Sequence, residues 1–346
     1  MRSLQPFTFG LLFSLTSLNV YAQKNVGWEA MVDLASQFSN RVGGTEEEAK
    51  AAQWLVKQYQ ALGYQAQVDE FQFQLGEKTL TTRNLEIEIT GQSDDVLIIG
   101  AHYDAVPSRE GSSGFTDNAS GAATLLGIAH NLVGKQPYYT VRLVSFGAEE
   151  MGLHGSIHYV NAKAASLTKV IGMINLDTVI GGDNLYIHSA HTVPYACDRY
   201  NGIDFNSSKT LRDALLADAA NIKTIKYGLH PKTVDYPEGE TGEWSDHAPF
   251  ACQGIPTAYI EATNFTLHGK DGYDGYSQTA ESKFWTCYDK TKLGACDRKD
   301  EKKWGQIWHT QYDSQAQMIG ELKEKITTQF DANVELLSNY VLKKSL

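Results

Sequence analysis

Three segments of this chain, DVLIIGAHYD, VRLVSFGAEE and VIGMINLDTV, each run apolar and then end in ionisable residues. Such runs, rich in Val, Ile, Leu and Phe, read as strands buried on both faces of a parallel sheet. Their ends carry His102 and Asp104, Glu149 and Glu150, and Asp177. A carboxylate at the mouth of a buried strand resists burial, and two adjacent ones also repel each other. The pattern therefore demands a sheet whose carboxyl edge faces water or a cation.

Helical patterns fill the intervals. Thr45, with Glu48 three residues on, reads as a capping box before an amphipathic helix carrying Ala51, Trp54, Leu55, Tyr59 and Leu62, and Gly63 closes it. SGAATLLGIAHNLV places Leu125, Leu126, Ala129, Leu132 and Val133 on one side. GSIHYVNAKA and KTLRDALLADAANI are further helices, and AQVDEFQF, NLEIEIT and GIPTAYIEAT further strands. The C-terminus is one long amphipathic helix with Ile319, Leu322, Ile326, Phe330, Val334, Leu337 and Val341 on its stripe. Strands alternating with helices at short spacing predict an α/β fold, a three-layer αβα sandwich around a mixed but mostly parallel central sheet. In such sheets ligands sit outside the carboxyl ends of the strands.

The first 22 residues are set apart. An early Arg2, an apolar stretch from Phe7 to Leu18 and the ending Val20-Tyr21-Ala22 read as a secretory signal, residues 1–22, ahead of a single domain, residues 23–346. A membrane anchor is the competing reading, but the stretch is short for a span. The net charge of −11, with no basic patch, argues against nucleic acid as a partner. A monomer that leaves the membrane once its signal is cut is expected, secreted or periplasmic. All four cysteines lie beyond the signal, and an even count in an oxidising compartment suggests disulfides. Cys287 and Cys296, close together in a polar loop, form the favoured pair; Cys197–Cys252 then follows by elimination.

The strand ends gather more groups. Asp117 and Asn118 follow in a Gly/Ser-rich loop that opens a helix near Ser120. Several carboxylates and an imidazole along one edge are costly without a cation, and zinc suits N and O ligands. One glutamate of the pair can then bind metal while its neighbour points at the water.

These residues carry a resemblance. AHYDAV, TDNASGAA, FGAEEMGLHGS, INLDTV and HTQYDS, in that order, resemble the motifs of the secreted co-catalytic zinc aminopeptidases, whose fold is that of bacterial leucyl aminopeptidases. The resemblance covers roughly residues 41–314. It implies two zinc ions held by His102, Asp117, Glu150, Asp177 and His309, with Asp117 between them and followed by a cis peptide. It implies Glu149 as general base and Asp104 as the group that holds the other ring nitrogen of His102. The implied activity is release of N-terminal residues from peptides or proteins. INLDTVIGGDNLYIHS, DYPEG and IEATNFTLHGKDGY further resemble a branch that removes N-terminal arginine, so Glu261, Asp271 or Asp274 could receive a basic side chain, with Tyr259 and Phe265 as an apolar wall.

Other readings compete. Asp117 could be a simple helix cap and the Glu149–Glu150 pair a solvated strand end. His130 falls on a polar face and His154 in a loop, while His188, His191, His230 and His268 show no partner pattern; His247, in EWSDHAPF, reads as supporting. Glutaminyl cyclases share the fold but use one zinc. A binding ectodomain that has lost its metals would lack ligands, and none of the five is missing here. No G-x-S-x-G elbow and no phosphate-binding loop occurs.

Overall fold

The computed structural model of the chain describes residues 25–107 and 111–346. The expected leader, residues 1–22, lies outside the described residues. Along the chain run α1 (Val26–Gln37), α2 (Glu46–Ala61), β1 (Gln67–Leu75), β2 (Lys78–Ile89), β3 (Ser93–His102), α3 (Ser120–Leu132), β4 (Tyr139–Phe146), α4 (His154–Ala162), β5 (Val170–Leu176) and β6 (Asn184–Ala190). Then follow α5 (Thr210–Ala219), β7 (Tyr227–Gly228), β8 (Glu240–Thr241), α6 (His247–Ala251), β9 (Thr257–Thr263), β10 (Tyr288–Asp289), β11 (Gly294–Ala295) and α7 (Gln315–Val341).

The large sheet has the order β1-β2-β4-β3-β5-β9-β6-β7, with β8 also on β6. Its centre is parallel: β4, β3, β5 and β9 run side by side in one direction. The hairpin β1–β2 and the pair β6–β9 are antiparallel, so the sheet is mixed, as expected. Along β3 the side chains alternate between two cores. Leu97, Ile99 and Ala101 join α1, α2, α3 and α7 on one face, while Val96 and Ile98 join Tyr159 and Val160 of α4 and Phe250 of α6 on the other. Truncating one of these, Leu97→Ala for example, costs about 2–5 kcal/mol. The three layers are thus real, and they bury both faces of the strands that deliver the site.

Local expectations met mixed outcomes. Thr45 caps α2 through Glu48 N–H, but the Glu48 side chain bonds the N–H of Gly44 (2.8 Å) rather than that of Thr45. Glu48 is fully buried, reaches Thr82 and the Tyr103 hydroxyl, and burial pushes its carboxyl up to about 7. Val133, placed on the buried stripe by periodicity, is half exposed, because α3 ends at Leu132 and the chain turns out of the helix there. The C-terminal helix is not straight: Leu322 leaves helical geometry (φ −127°, ψ 18°), which lets Met318 and Ile326 both reach the core on either side of the bend. Helix α1 and strands β6, β7 and β8 escaped the sequence reading. In β6 the buried positions include His188 and Ser189, so the apolar signature is broken. Both expected disulfides, Cys197–Cys252 and Cys287–Cys296, are present.

Candidate metal centre

Strands β4, β3 and β5 are neighbours, so their carboxyl ends meet at one edge. His102 is the last residue of β3, Glu149 and Glu150 follow β4, and Asp177 follows β5. Asp117 comes from the turn Phe115–Ala119 that opens α3, across a cis peptide to Asn118. That turn is tied to β5 by Asn118, whose side chain donates to the Leu176 carbonyl (2.8 Å) and accepts from Gly121 N–H (2.8 Å). Residue 121 must be glycine: a Cβ there would lie 2.6 Å from the Leu176 oxygen. Gly147, before the glutamate pair, is likewise pressed against Thr82 and the Arg83 backbone. Ala148, Thr178 and His309 take left-handed φ values of 54°, 52° and 55°. Each costs of order 1–3 kcal/mol, and such strain concentrates at functional sites.

The side chains converge. His102 Nε2 lies 3.3 Å from Asp117 Oδ1, 3.3 Å from Asp177 Oδ1 and 3.9 Å from Glu149 Oε2. His309 Nε2 lies 3.0 Å from Asp117 Oδ2 and 3.3 Å from Glu150 Oε2. The two oxygens of Asp117 therefore face two different imidazoles. Asp104 Oδ1 lies 3.5 Å from His102 Nδ1, and its carboxylate also accepts the N–H groups of Glu149 (3.0 Å) and Glu150 (3.2 Å). Asp104 thus fixes the imidazole and the Glu–Glu turn at once, a second role that sequence reading did not give it. All five expected ligands, with Glu149 and Asp104, come together.

The electrostatics fit a cation. Burial pushes the Glu149 carboxyl well above the usual range, and burial with the neighbouring Asp117 charge pushes Glu150 up to about 7. Burial opposes ionisation of Asp117 too, but hydrogen bonds with His102 and His309 hold its carboxyl well below the ordinary value. Burial works against a charged His309, yet hydrogen bonds to Asp117 and Glu150 raise it to about 11. Protons on the imidazoles here balance carboxylates whose ionisation their neighbours oppose. Glu150 Oε1 is buried with no hydrogen-bond partner among the described residues. Ligand atoms of His102, Glu149 and Asp177, and of His102, Asp117 and Glu150, lie close enough to hold an ion. A mixed imidazole and carboxylate donor set of this kind suits zinc.

Three supporting groups escaped the sequence reading. Arg41 is fully buried, and its guanidinium donates to the carbonyls of Tyr103 (2.6 Å), Ser113 (2.8 Å) and Gly114 (2.6 Å). It clamps the strand end carrying His102 to the loop carrying Asp117. Burial lowers its pKa to about 10, partly offset by Asp313 and Asp104. Asp313 accepts the Thr116 N–H (2.6 Å) and hydroxyl (2.8 Å), joining the His309 loop to the Asp117 loop. Ser245 donates to Asp177 Oδ2 (2.7 Å) and accepts from Asn175 (2.7 Å). Asp313 lies in the HTQYDS motif and Ser245 in EWSDHAPF, so these two segments held a sequence signal, though it was read for His309 and His247.

The centre opens into a cavity of about 1240 Å³ lined by Asp117, Glu149, Glu150, Asp177 and His309 together with Tyr259, Glu261 and Phe265. Among the described residues its lining includes eight Asp or Glu residues and one lysine, Lys232. Glu261 is buried, 2.8 Å from His188 Nε2 and 3.3 Å from the Tyr259 hydroxyl. His188 thus has a partner that its own sequence neighbourhood concealed, since Glu261 lies across the β6–β9 pair. His230 lies with each ring nitrogen 2.7 Å from a carbonyl oxygen, of Pro231 and Glu240. His154 opens α4, half-buried and packed on Phe73, rather than lying solvated in a loop. His247 stacks on Tyr259 at 5.2 Å, and burial lowers its pKa to about 4. Asp274 keeps one buried oxygen without a partner among the described residues, and Asp271 is exposed.

Comparison with known proteins agrees with this geometry. The profile described as Peptidase family M28 matches residues 84–329. The alkaline phosphatase isozyme conversion protein of Escherichia coli is 28% identical over 270 residues, 71% of this chain and 74% of that protein. Of two further relatives the chain spans less than half, 41% and 31%. A zinc aminopeptidase from Bacillus subtilis superposes with a TM-score of 0.62 at 16% identity, covering 92% of this chain and 95% of that one. The glutaminyl cyclase of Fimbriiglobus ruber also superposes at 0.62, with 17% identity over 91% and 95%.

Proposed function

We propose, from the premise that this chain belongs to peptidase family M28, that it is a zinc-dependent aminopeptidase. The observation that carries this reading is Asp117, whose two oxygens face His102 and His309 separately. His102, Asp117 and Asp177 would hold one zinc, and His309, Glu150 and Asp117 the other. When bound, the pair of ions supplies an activated water and positive charge to polarise the peptide carbonyl.

The chain's own residues do the rest. Glu149, beside the ligands but not assigned to either ion, takes a proton from the water and passes it to the leaving amine. Its buried, carboxylate-crowded setting favours holding that proton between the two steps. Asp104 holds the His102 ring and the backbone of Glu149, so base and ligand keep a fixed spacing. The acidic lining draws in a free α-ammonium group, which restricts cleavage to the N-terminal residue. Tyr259 and Phe265 wall the first side chain. Glu261, already facing His188, and Asp274, with one oxygen unpartnered among the described residues, suit a basic one, Arg or Lys. The disulfides fit an oxidising compartment, so we place the protein, with its leader cut after residue 22, as a single-domain monomer in the periplasm or medium of a Gram-negative bacterium, with peptides rather than nucleic acid as partners.

The cyclase fold match favours one rival, cyclisation of N-terminal glutamine with one zinc. A panel of Arg-, Lys- and Leu-nitroanilides beside a glutaminyl peptide separates the two. Release of nitroaniline, fastest from Arg or Lys and abolished by 1,10-phenanthroline, is expected; ring closure of the glutaminyl peptide without nitroaniline release contradicts the reading.

A further inference from the structure

We propose that the outer wall of the cavity is a second binding site, one that takes the residues following the first in an extended polypeptide and favours apolar or aromatic side chains there. This rests on the aminopeptidase reading above. A volume of about 1240 Å³ exceeds the roughly 300–1,000 Å³ that encloses a drug-sized ligand, so a single amino-acid residue leaves much of it unfilled.

The unfilled part is walled by aromatic pairs. Tyr236 and Trp244 meet edge to face at 5.3 Å and 81°, and Tyr276 and Trp308 at 5.8 Å and 88°. All four line the cavity, yet Trp244 is 47% and Tyr276 52% exposed. Large aromatic surface left open beside a binding site marks a place where a partner is expected to cover it. The rings are held in advance. Tyr236 also packs edge to face on His191 at 5.1 Å, and the backbone N–H of Trp308 donates to the buried Gln278 side chain at 2.9 Å, which fixes the segment that carries that ring. Pre-set Trp and Tyr side chains lose little entropy on binding and supply most of the energy at contact sites.

Position and charge identify the occupant. Trp308 directly precedes His309, so this wall is continuous with the carboxylate centre. A chain entering with its ammonium group at the acids must lay its next residues along the remaining lining. An extended segment can do this; the closed surface of a folded domain cannot enter a concave site.

The test uses two peptides with the same first residue and length, Leu-Gly-Gly-Gly and Leu-Phe-Tyr-Gly. With zinc-loaded wild-type protein, kcat/KM for the second is expected to exceed the first about tenfold. Trp244→Ala and Tyr276→Ala are each expected to reduce that ratio at least threefold, chiefly through KM. Calorimetric binding of both peptides to metal-free protein should give the same order without turnover. A wild-type ratio near one, or a ratio unchanged in both variants, overturns the proposal. Absence of turnover on both peptides and on the Arg and Lys nitroanilides overturns the peptidase reading instead, and the binding order still decides the outer wall.

Discussion

His102, Glu149 and Asp177 stand at the ends of three adjacent parallel strands, whereas Trp244, Tyr276 and Trp308, which line the same cavity, stand on loops between short elements. The first group is buried and cross-braced by Asp104, Arg41, Asp313 and Ser245. The second is part-exposed and braced by ring contacts, and beside it the loop closed by the Cys287–Cys296 link supplies Leu293 to the same lining, with the Glu301 carboxylate holding the base of that loop through Thr286 and Cys287 N–H. Sheet ends give the precision that proton transfer needs. Loops give a surface whose shape can vary without disturbing that chemistry. Changes at the strand edge should therefore act on turnover and metal, and changes at the outer wall on substrate choice.

Glu149→Ala tests the edge most severely. Turnover is expected to fall about 10²- to 10⁴-fold while bound zinc, counted by atomic absorption, stays at wild-type level. Unchanged turnover would remove Glu149 as the base. His309→Ala should weaken one metal site by more than the roughly 10- to 100-fold that loss of a supporting partner costs, while the other site keeps its ion. Two ions held with wild-type affinity would reassign that ligand.

Arg41→Met sharpens the comparison because the hydrogen bonds of Arg41 go, among the described residues, to backbone carbonyls. Removing the cation takes their donor from the Tyr103 and Ser113 carbonyls and leaves the Gly114 carbonyl with the Ala119 N–H, all beside buried acids, at about 3–5 kcal/mol by chemical denaturation. Arg41→Lys should recover part of the stability but not the zinc affinity, because an ammonium group cannot span both loops. Full recovery of both would reduce Arg41 to a buried charge.

The division between edge and wall is also the division in what the sequence reveals. Three apolar runs ending in acids located the strands, their direction and five of the seven proposed site residues, because strand ends in a parallel sheet must share an edge. Asp117 needed the motif as well as the loop composition. His309 came from the motif alone: it reaches the centre from a loop, in a left-handed conformation that no periodicity signals. Arg41 was silent because, apart from the Phe38 carbonyl, the carbonyls it binds lie 62 to 73 residues away. His188 and Glu261 were silent because cross-strand pairs depend on register, and the strand that holds His188 had not been recognised. The walls were the least legible, since exposed Trp and Tyr in loops look alike until the fold brings them together.

The smallest expected effects lie on that wall. Replacing both Cys287 and Cys296 by Ser opens a short loop, at up to about 2–3 kcal/mol. It is expected to change KM for Leu-Phe-Tyr-Gly with little change in kcat; an equal loss for every substrate would show that wall and edge are not separable. Burial opposes the charge on Glu301, but the N–H groups of Thr286, Lys303, Cys287 and Trp304 hold its carboxyl down to about 2. Its stabilising effect is present above the ordinary value of 4.5 and is lost as pH falls toward 2. Acid should thus loosen this segment in hydrogen exchange across that window, and Glu301→Gln should remove the dependence.

Crystals grown with excess zinc, with anomalous scattering measured on both sides of the zinc absorption edge, test the central claim most directly. The account predicts two zinc peaks, one between His102 and Asp177 and one between His309 and Glu150, with one oxygen of Asp117 directed to each. A single peak, or an Asp117 side chain that touches neither ion, would contradict it.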